Sequence, residues 1–128
     1  MKPLSFYAAL AILAAGTVPA LADDMQAATD MYNDNCAICH GNKGEGYPKE
    51  VVPNGAVRIK KLAGDSAYWD FAVFKTTVLD GKDDEGRSMR VMPVFGKTGL
   101  IEPPGQPLTE DDLKKIQVYM QTFGPKEE

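Results

Sequence analysis

Apolar side chains recur at helical spacing in three separate stretches of the chain, residues 23–35, 65–79 and 110–123. Within each stretch they return every three or four residues, as they do on the buried face of an α-helix. The side chains in these stripes are Ala28, Met31 and Tyr32, then Ala67, Phe71, Phe74 and Val78, then Leu113, Ile116, Met120 and Phe123. The pattern predicts an all-α fold with three main helices.

Residues that cap helices stand at the ends of the second and third stretches. Asp65 or Ser66 is placed to begin the second helix, and Gly81 is placed to end it. Thr109 is followed three residues later by Asp112, which predicts a capping box at the start of the third helix. Both helices are therefore expected to have well-defined ends.

Glycine and proline interrupt the chain between the predicted helices. The sequence contains 12 Gly and 9 Pro, and residues 41–64 and 99–107 show no sustained apolar period. These segments are predicted to be long loops. Because a domain of this size buries only a modest core of its own, the loops need a further apolar surface on which to pack.

The first 22 residues differ in character from the rest. Lys2 is their only charged residue, and residues 4–15 form an apolar run. Ala20-Leu21-Ala22 has the small-x-small pattern that precedes a signal-peptidase cleavage site. This arrangement is typical of a secretory signal peptide. The alternative is an uncleaved membrane anchor, for which the apolar run is short. The sequence therefore predicts a signal peptide over residues 1–22, one domain over residues 23–128, and a periplasmic product without a membrane span.

The negative net charge of the chain disfavours some classes of binding partner. Loss of Lys2 with the signal peptide would change the formal net charge from −4 to −5. An acidic protein is a poor ligand for nucleic acid and for anionic membrane surfaces. It is compatible with a protein partner that carries a basic patch.

The sequence Cys36-Ala37-Ile38-Cys39-His40 carries the chemistry of the chain. This is the C-x-x-C-H pattern of covalent attachment of a c-type haem, and the chain has no other Cys or His. On a helix, Cys36, Cys39 and His40 share one face, so that both sulfurs reach the porphyrin edge while the imidazole faces the iron. A structural zinc site would need a fourth ligand, and a thioredoxin-like pair would need a βαβ setting. One haem c, held by two thioethers, is the predicted cofactor.

A sixth iron ligand is expected among the methionines, because a thioether is neutral and soft and raises the reduction potential of haem iron. Met89 and Met92 are the candidates outside the predicted helices and the signal peptide. We favour Met92, because Pro93 directly follows it and holds Met92 in an extended segment that is suited to presenting a ligand. His40 is expected to bind the iron through one ring nitrogen. The N–H group of its other ring nitrogen is expected to donate a hydrogen bond to a backbone carbonyl. Pro53 is the predicted carbonyl, with Pro48 as the alternative.

The chain resembles the class I c-type cytochromes over nearly all of residues 23–128. The similarity lies in residues 31–41 around the attachment motif, in Leu62-Ala63-Gly64, in Met92-Pro93-Val94-Phe95, and in residues 108–119. It implies a cytochrome c fold, with three main helices and long loops wrapped round one covalent haem in a crevice. It also implies outer-sphere electron transfer by a carrier that is not an enzyme.

Three functions are compatible with these features. The leading hypothesis is a monomeric periplasmic carrier between a quinoprotein dehydrogenase or bc-type complex and a terminal oxidase or reductase. The second is a cytochrome subunit of a dehydrogenase or sulfur-oxidising complex. The third is a haem enzyme or gas sensor with a labile sixth ligand. Basic side chains that could surround the haem edge are Lys43, Lys49, Arg90 and Lys97.

Overall fold

The computed structural model of this chain describes residues 19–47 and 59–128. Within these residues the structure contains α-helices, one short 3₁₀ turn and isolated bridges, but no β-strand. The helices are α1 (Pro19–Asn35), α2 (Ala37–His40), α3 (Phe71–Asp80), α4 (Phe95–Thr98) and α5 (Glu110–Gln121). The predicted all-α fold is confirmed, and its three main helices are α1, α3 and α5.

The core is built where α1 packs against α5. Ala28 and Tyr32 of α1 are completely buried, and the small side chain of Ala28 leaves room for close approach. The ring of Tyr32 meets Tyr119 and Phe123 edge to face, with centroid separations of 5.5 and 5.0 Å. Such aromatic pairs add to the energy of area burial alone. The first and last helices are therefore joined by an aromatic cluster.

The second predicted helix is interrupted, which corrects the interpretation of residues 65–79 as one element. A 3₁₀ turn covers Asp65–Tyr68, and α3 begins only at Phe71. Asp70 lies between them with ψ 136°, and its carboxylate accepts a hydrogen bond from the amide of Ala72 at 2.8 Å. Neither Asp65 nor Ser66 caps α3, because the short polar side chain of Asp70 satisfies the helix start instead.

The other predicted helix ends are present. Gly81 ends α3 in the left-handed conformation, with φ 66°. At the start of α5, Thr109 and Asp112 form the predicted capping box, in which each side chain accepts a hydrogen bond from the other residue's amide. Helix α4 was not predicted. It is a single turn whose Phe95 is buried and whose Gly96 packs against the carbonyl of Leu79 on α3.

Helix α1 begins at Pro19, upstream of the predicted start at residue 23. Asp24 lies inside this helix and forms an ion pair with Lys115 of α5 at 2.8 Å. Residues 1–18, which make up most of the predicted signal peptide, lie outside the described residues, so the predicted boundary at residue 22 stays a prediction. Among the helices in the described part of the chain, none combines the length and apolar character needed to cross a membrane.

The buried hydroxyl of Tyr32 provides a test of the α1–α5 interface. It donates a hydrogen bond to the carbonyl of Gly41 at 2.8 Å, whereas the hydroxyl of Tyr119 makes no hydrogen bond within the described residues. We expect Tyr32→Phe to lower the free energy of unfolding by about 1 kcal/mol, the net value of one hydrogen bond. Tyr119→Phe, the matched control in the same cluster, should change it by less than about 0.5 kcal/mol. Denaturant titration measures both, and equal effects would contradict this assignment.

Candidate functional site

The attachment motif sits at the corner between α1 and α2. The amide of Cys36 donates to the carbonyl of Tyr32 at 2.8 Å, and the amide of His40 donates to the carbonyl of Cys36 at 2.9 Å. The chain thus keeps a nearly helical path through the motif, although α1 ends at Asn35. Cys36, Cys39 and His40 all face one cavity, while Ile38 is turned outward and 66% exposed.

The cavity beside the motif has a volume of about 400 Å³, within the range of about 300–1,000 Å³ that is usual for cofactor sites. Its walls are mostly apolar and come largely from α3, α5, and α4 with the segments on either side of it. The buried side chains among them are Phe74, Val78, Phe95, Leu100, Leu113, Ile116 and Met120. The cavity can therefore hold a large apolar group next to the two thiols.

His40 is oriented by a backbone carbonyl, and that carbonyl belongs to Lys60. Nδ1 of His40 donates to Lys60 O at 2.8 Å, which leaves Nε2 as the ring nitrogen with the free lone pair. Burial lowers the pKa of His40, and the bond to Lys60 partly opposes this. The imidazole is thus held in the neutral form that binds metals.

This contact corrects the prediction that Pro53, or alternatively Pro48, supplies the carbonyl. Both prolines lie outside the described residues. The carbonyl of Lys60 is positioned by pairing between the two ends of the loop that contains them. Tyr47 and Ile59 form an antiparallel bridge, and the amide of Leu62 donates to the carbonyl of Gly44 at 2.7 Å. The residue next to this bridge is therefore the one that reaches His40.

The thiols are unlike those of a redox-active C-x-x-C pair. Both cysteines are free. Burial, with a smaller contribution from the nearby Cys39, raises the pKa of the Cys36 thiol to about 12. Redox-active cysteines have lowered pKa values, because the thiolate is the reacting form. The environment of Cys36 thus disfavours the thioredoxin-like interpretation.

Both candidate methionines reach the same cavity as the motif. Met92 also packs against the buried core, and it directly precedes the segment that leads into α4. Met89 is tied by its amide to the carbonyl of Gly81 at 2.8 Å, at the base of the charged loop closed by the Lys82–Ser88 bridge. Because both side chains line the cavity, the preference for Met92 stays a prediction.

The set of donors fits a flat haem better than a bare ion. Within residues 19–47 and 59–128, no group of three or more His, Cys, Asp or Glu side chains is placed to hold a metal ion directly. The two thiols, the imidazole and the two thioethers instead share an apolar cavity of cofactor size. Thiols that form thioethers, one imidazole and one thioether are the protein groups that a c-type haem requires.

Sequence reasoning missed Asn35, the buried residue directly before the motif. Its Nδ2 donates to the carbonyls of Met31 and Glu102 at 3.0 and 2.9 Å, and its Oδ1 accepts from the amides of Ile101 and Glu102 at 2.7 and 2.9 Å. These bonds join the end of α1 to a loop that lines the cavity. The sequence gives no signal for this role, because Asn33 and Asp34 directly before Asn35 are polar as well.

Trp69 and Lys60 form a second group that the sequence did not predict to interact. The Lys60 ammonium lies 4.2 Å from the centroid of the Trp69 ring, and both residues line the cavity. Gln117 of α5 donates to the carbonyl of Trp69 at 2.8 Å. The Trp69 ring therefore lies at the cavity and contacts Lys60, the residue whose carbonyl orients His40.

One family model matches most of the chain. It is described as "Cytochrome C oxidase, cbb3-type, subunit III" and matches residues 23–120, a range that includes the motif, both candidate methionines and nearly all of α5. No match was found among curated proteins or among solved structures.

The hydrogen bonds of Asn35 predict a large effect of its removal. Asn35→Ala would leave amides and a carbonyl of residues 101–102 without partners, and we expect it to lower the free energy of unfolding by about 2–3 kcal/mol. Asn33→Ala, at an exposed position of the same helix, is the control and should change it by less than about 0.5 kcal/mol. Denaturant unfolding of the two purified variants tests this. Similar losses would show that the Asn35 contacts contribute little.

Proposed function

The chain belongs to the cytochrome c oxidase, cbb3-type, subunit III family, whose domain is a c-type cytochrome, and we propose that it carries single electrons in the periplasm on one haem. The resemblance to class I c-type cytochromes is thereby confirmed. The family implies haem c as the cofactor and electron transfer as the function, and this chain is an electron carrier rather than an enzyme. We further propose that the chain binds a single haem, that His40 and Met92 are its axial ligands, that it works in the periplasm, and that its partners are other redox proteins.

One observation carries the proposal at the level of residues. The thiol pair and the imidazole line the same apolar cavity as two thioether side chains. In this proposal Cys36 and Cys39 form the thioethers, Nε2 of His40 is the fifth ligand, and Met92 is the sixth. Bound in this way, the haem supplies reversible one-electron chemistry, which belongs to the iron.

The protein supplies ligation, burial and access. The Lys60 carbonyl orients His40, and the apolar walls exclude water from the ring, which together with a thioether ligand raises the reduction potential. Access comes where the lining residues reach the surface: Val91 and Ile101 are 52% and 43% exposed, and Cys39 is also exposed. Electrons would enter and leave through this rim without a substrate binding inside.

The proposed partners are other redox proteins. A quinoprotein dehydrogenase or a bc-type complex would be the donor, and a terminal oxidase or reductase the acceptor. The net negative charge of the chain supports partners with basic docking surfaces, because charge complementarity raises association rates. Exposed apolar side chains at the rim support brief contact with a partner's own redox centre.

The family description favours a second candidate, a cytochrome subunit bound within a larger redox complex. A carrier should purify as a monomer of the mature chain, whereas a subunit should purify together with other polypeptides. Native mass measurement of the protein from its own membrane and periplasmic fractions separates the two.

Ligation by Met92 predicts a difference between two methionine variants. We expect Met92→Ala to abolish the weak red-edge absorption band that arises from thioether-to-ferric-iron charge transfer, and to lower the reduction potential. Met89→Ala, which removes the other thioether at the cavity, should retain the band. Absorption spectra of both oxidation states and a redox titration provide the measurements. The reverse result would assign the sixth ligand to Met89.

Export and attachment predict the covalent mass of the protein. Intact-mass spectrometry of protein from the periplasm should show a chain that begins at Asp23 and carries one haem, and pyridine haemochrome spectra should show both vinyl groups saturated. Cys39→Ala should retain at most one thioether. A full-length chain with haem would support the anchor alternative, and a chain without porphyrin would contradict the proposed function.

A further inference from the structure

Lys60 contacts the site through both its backbone and its side chain. Its carbonyl accepts the hydrogen bond from Nδ1 of His40 at 2.8 Å, and its ammonium lies 4.2 Å from the centroid of the Trp69 ring. Attraction between a cation and an aromatic face acts within about 6 Å and is strongest for tryptophan. Among the contacts of this kind within the described residues, this one is the shortest. The residue that orients His40 is thus itself attached to Trp69.

The backbone around Trp69 is fixed to α5 by side-chain hydrogen bonds. Nε2 of the buried Gln117 donates to the Trp69 carbonyl at 2.8 Å. One turn later on α5, Nε2 of Gln121 donates to the carbonyl of Ala67 at 3.2 Å. These bonds hold the residues before α3 against a helix that forms one wall of the cavity. The Trp69 ring therefore has a firm support on which a cation can stack.

Backbone pairing brings Lys60 to His40 but holds the two sides of Lys60 unequally. After it, the amide of Leu62 donates to the carbonyl of Gly44 at 2.7 Å. Before it, the amide of Tyr47 reaches the carbonyl of Ile59 only at 3.4 Å. The second bond is the weaker one, because such distances are usually about 2.9 Å. A further attachment through the Lys60 side chain would therefore affect where its carbonyl points.

We propose that the ammonium of Lys60, stacked on the Trp69 ring, holds the Lys60 carbonyl in place against Nδ1 of His40. Lys60 is then a positioning residue, which acts on the iron through the histidine. A firm hydrogen bond at Nδ1 fixes the orientation of the imidazole and makes Nε2 a better electron donor. The side chain of one loop residue and the ring of another thus control the quality of the fifth ligand. This inference rests on the proposed ligation by Nε2 of His40.

The test follows exchange of the Nδ1 proton of His40 with deuterated water, by proton NMR of the haem-containing protein. This proton exchanges when the segment around Lys60 opens locally, so its rate measures how firmly the carbonyl is held. Lys60→Met keeps an unbranched apolar chain and removes the charge. We expect it to exchange roughly two- to fivefold faster, the range that an exposed cation–π contact provides. Lys60→Arg keeps a cation that stacks on aromatic rings and should exchange like the wild type.

Two further variants serve as control and as proof of the partner. Lys61 is the next residue but pairs with Glu127, and surface ion pairs contribute little, so Lys61→Met should leave the exchange rate unchanged. Trp69→Leu removes the ring instead of the cation and should also speed exchange. In the Trp69→Leu background, Lys60→Met should add nothing, because both substitutions remove the same contact.

The possible failures are distinguishable. A Lys60→Met variant that exchanges at the rate of Lys61→Met would overturn this inference and leave the proposed function intact. If its reduction potential nevertheless fell, the ammonium would act on the iron only through its charge. An acceleration by Lys60→Met that persists in full in the Trp69→Leu background would also overturn the inference, because the ring would then not be the partner. A wild-type protein without paramagnetically shifted imidazole signals would contradict ligation by His40 itself.

Discussion

The structure depends on the corner that joins α1 to the attachment motif. Two thiols and one imidazole serve a single flat cofactor only if they leave the backbone on the same side, and a helical path of i, i+3 and i+4 provides this. The corner is held by backbone bonds through Cys36, by Tyr32 bonded to Gly41, and by the four hydrogen bonds of Asn35. The first two contacts tie the motif and the residue after it to α1, and the bonds of Asn35 tie the end of α1 to residues 101–102.

The cavity explains how such a short chain can tolerate so many glycines and prolines. The buried protein core is small and lies mainly between α1, α3 and α5. Loop residues such as Leu62, Leu100 and Leu108 do not complete a separate core but line the cavity. A haem offers a large apolar surface on which loops with little regular structure can pack. The loops that complete the fold are therefore the same loops that line the cofactor cavity.

The two sides of the cavity are stabilised in different ways. On the histidine side, a carbonyl, a cation–π contact and the amide of Gln117 connect His40, Lys60, Trp69 and α5 in sequence. On the methionine side, α3 packs closely against α4 and the segment before it, with tight contacts at Gly81 and Gly96. Packing of this kind limits the movement of His40 and of the segment that leads from Met92 into α4.

The sequence by itself determined the cofactor, the helical fold and the capping box of α5. These depend on local spacing and on residue chemistry, which a single stretch of chain contains. Tertiary structure alone decided that Lys60 supports His40, because every residue offers a carbonyl and only long-range pairing between Tyr47 and Ile59 selects one. It also brought both Met89 and Met92 to the cavity. Such contacts join residues distant in sequence, so no periodicity in the chain predicts them.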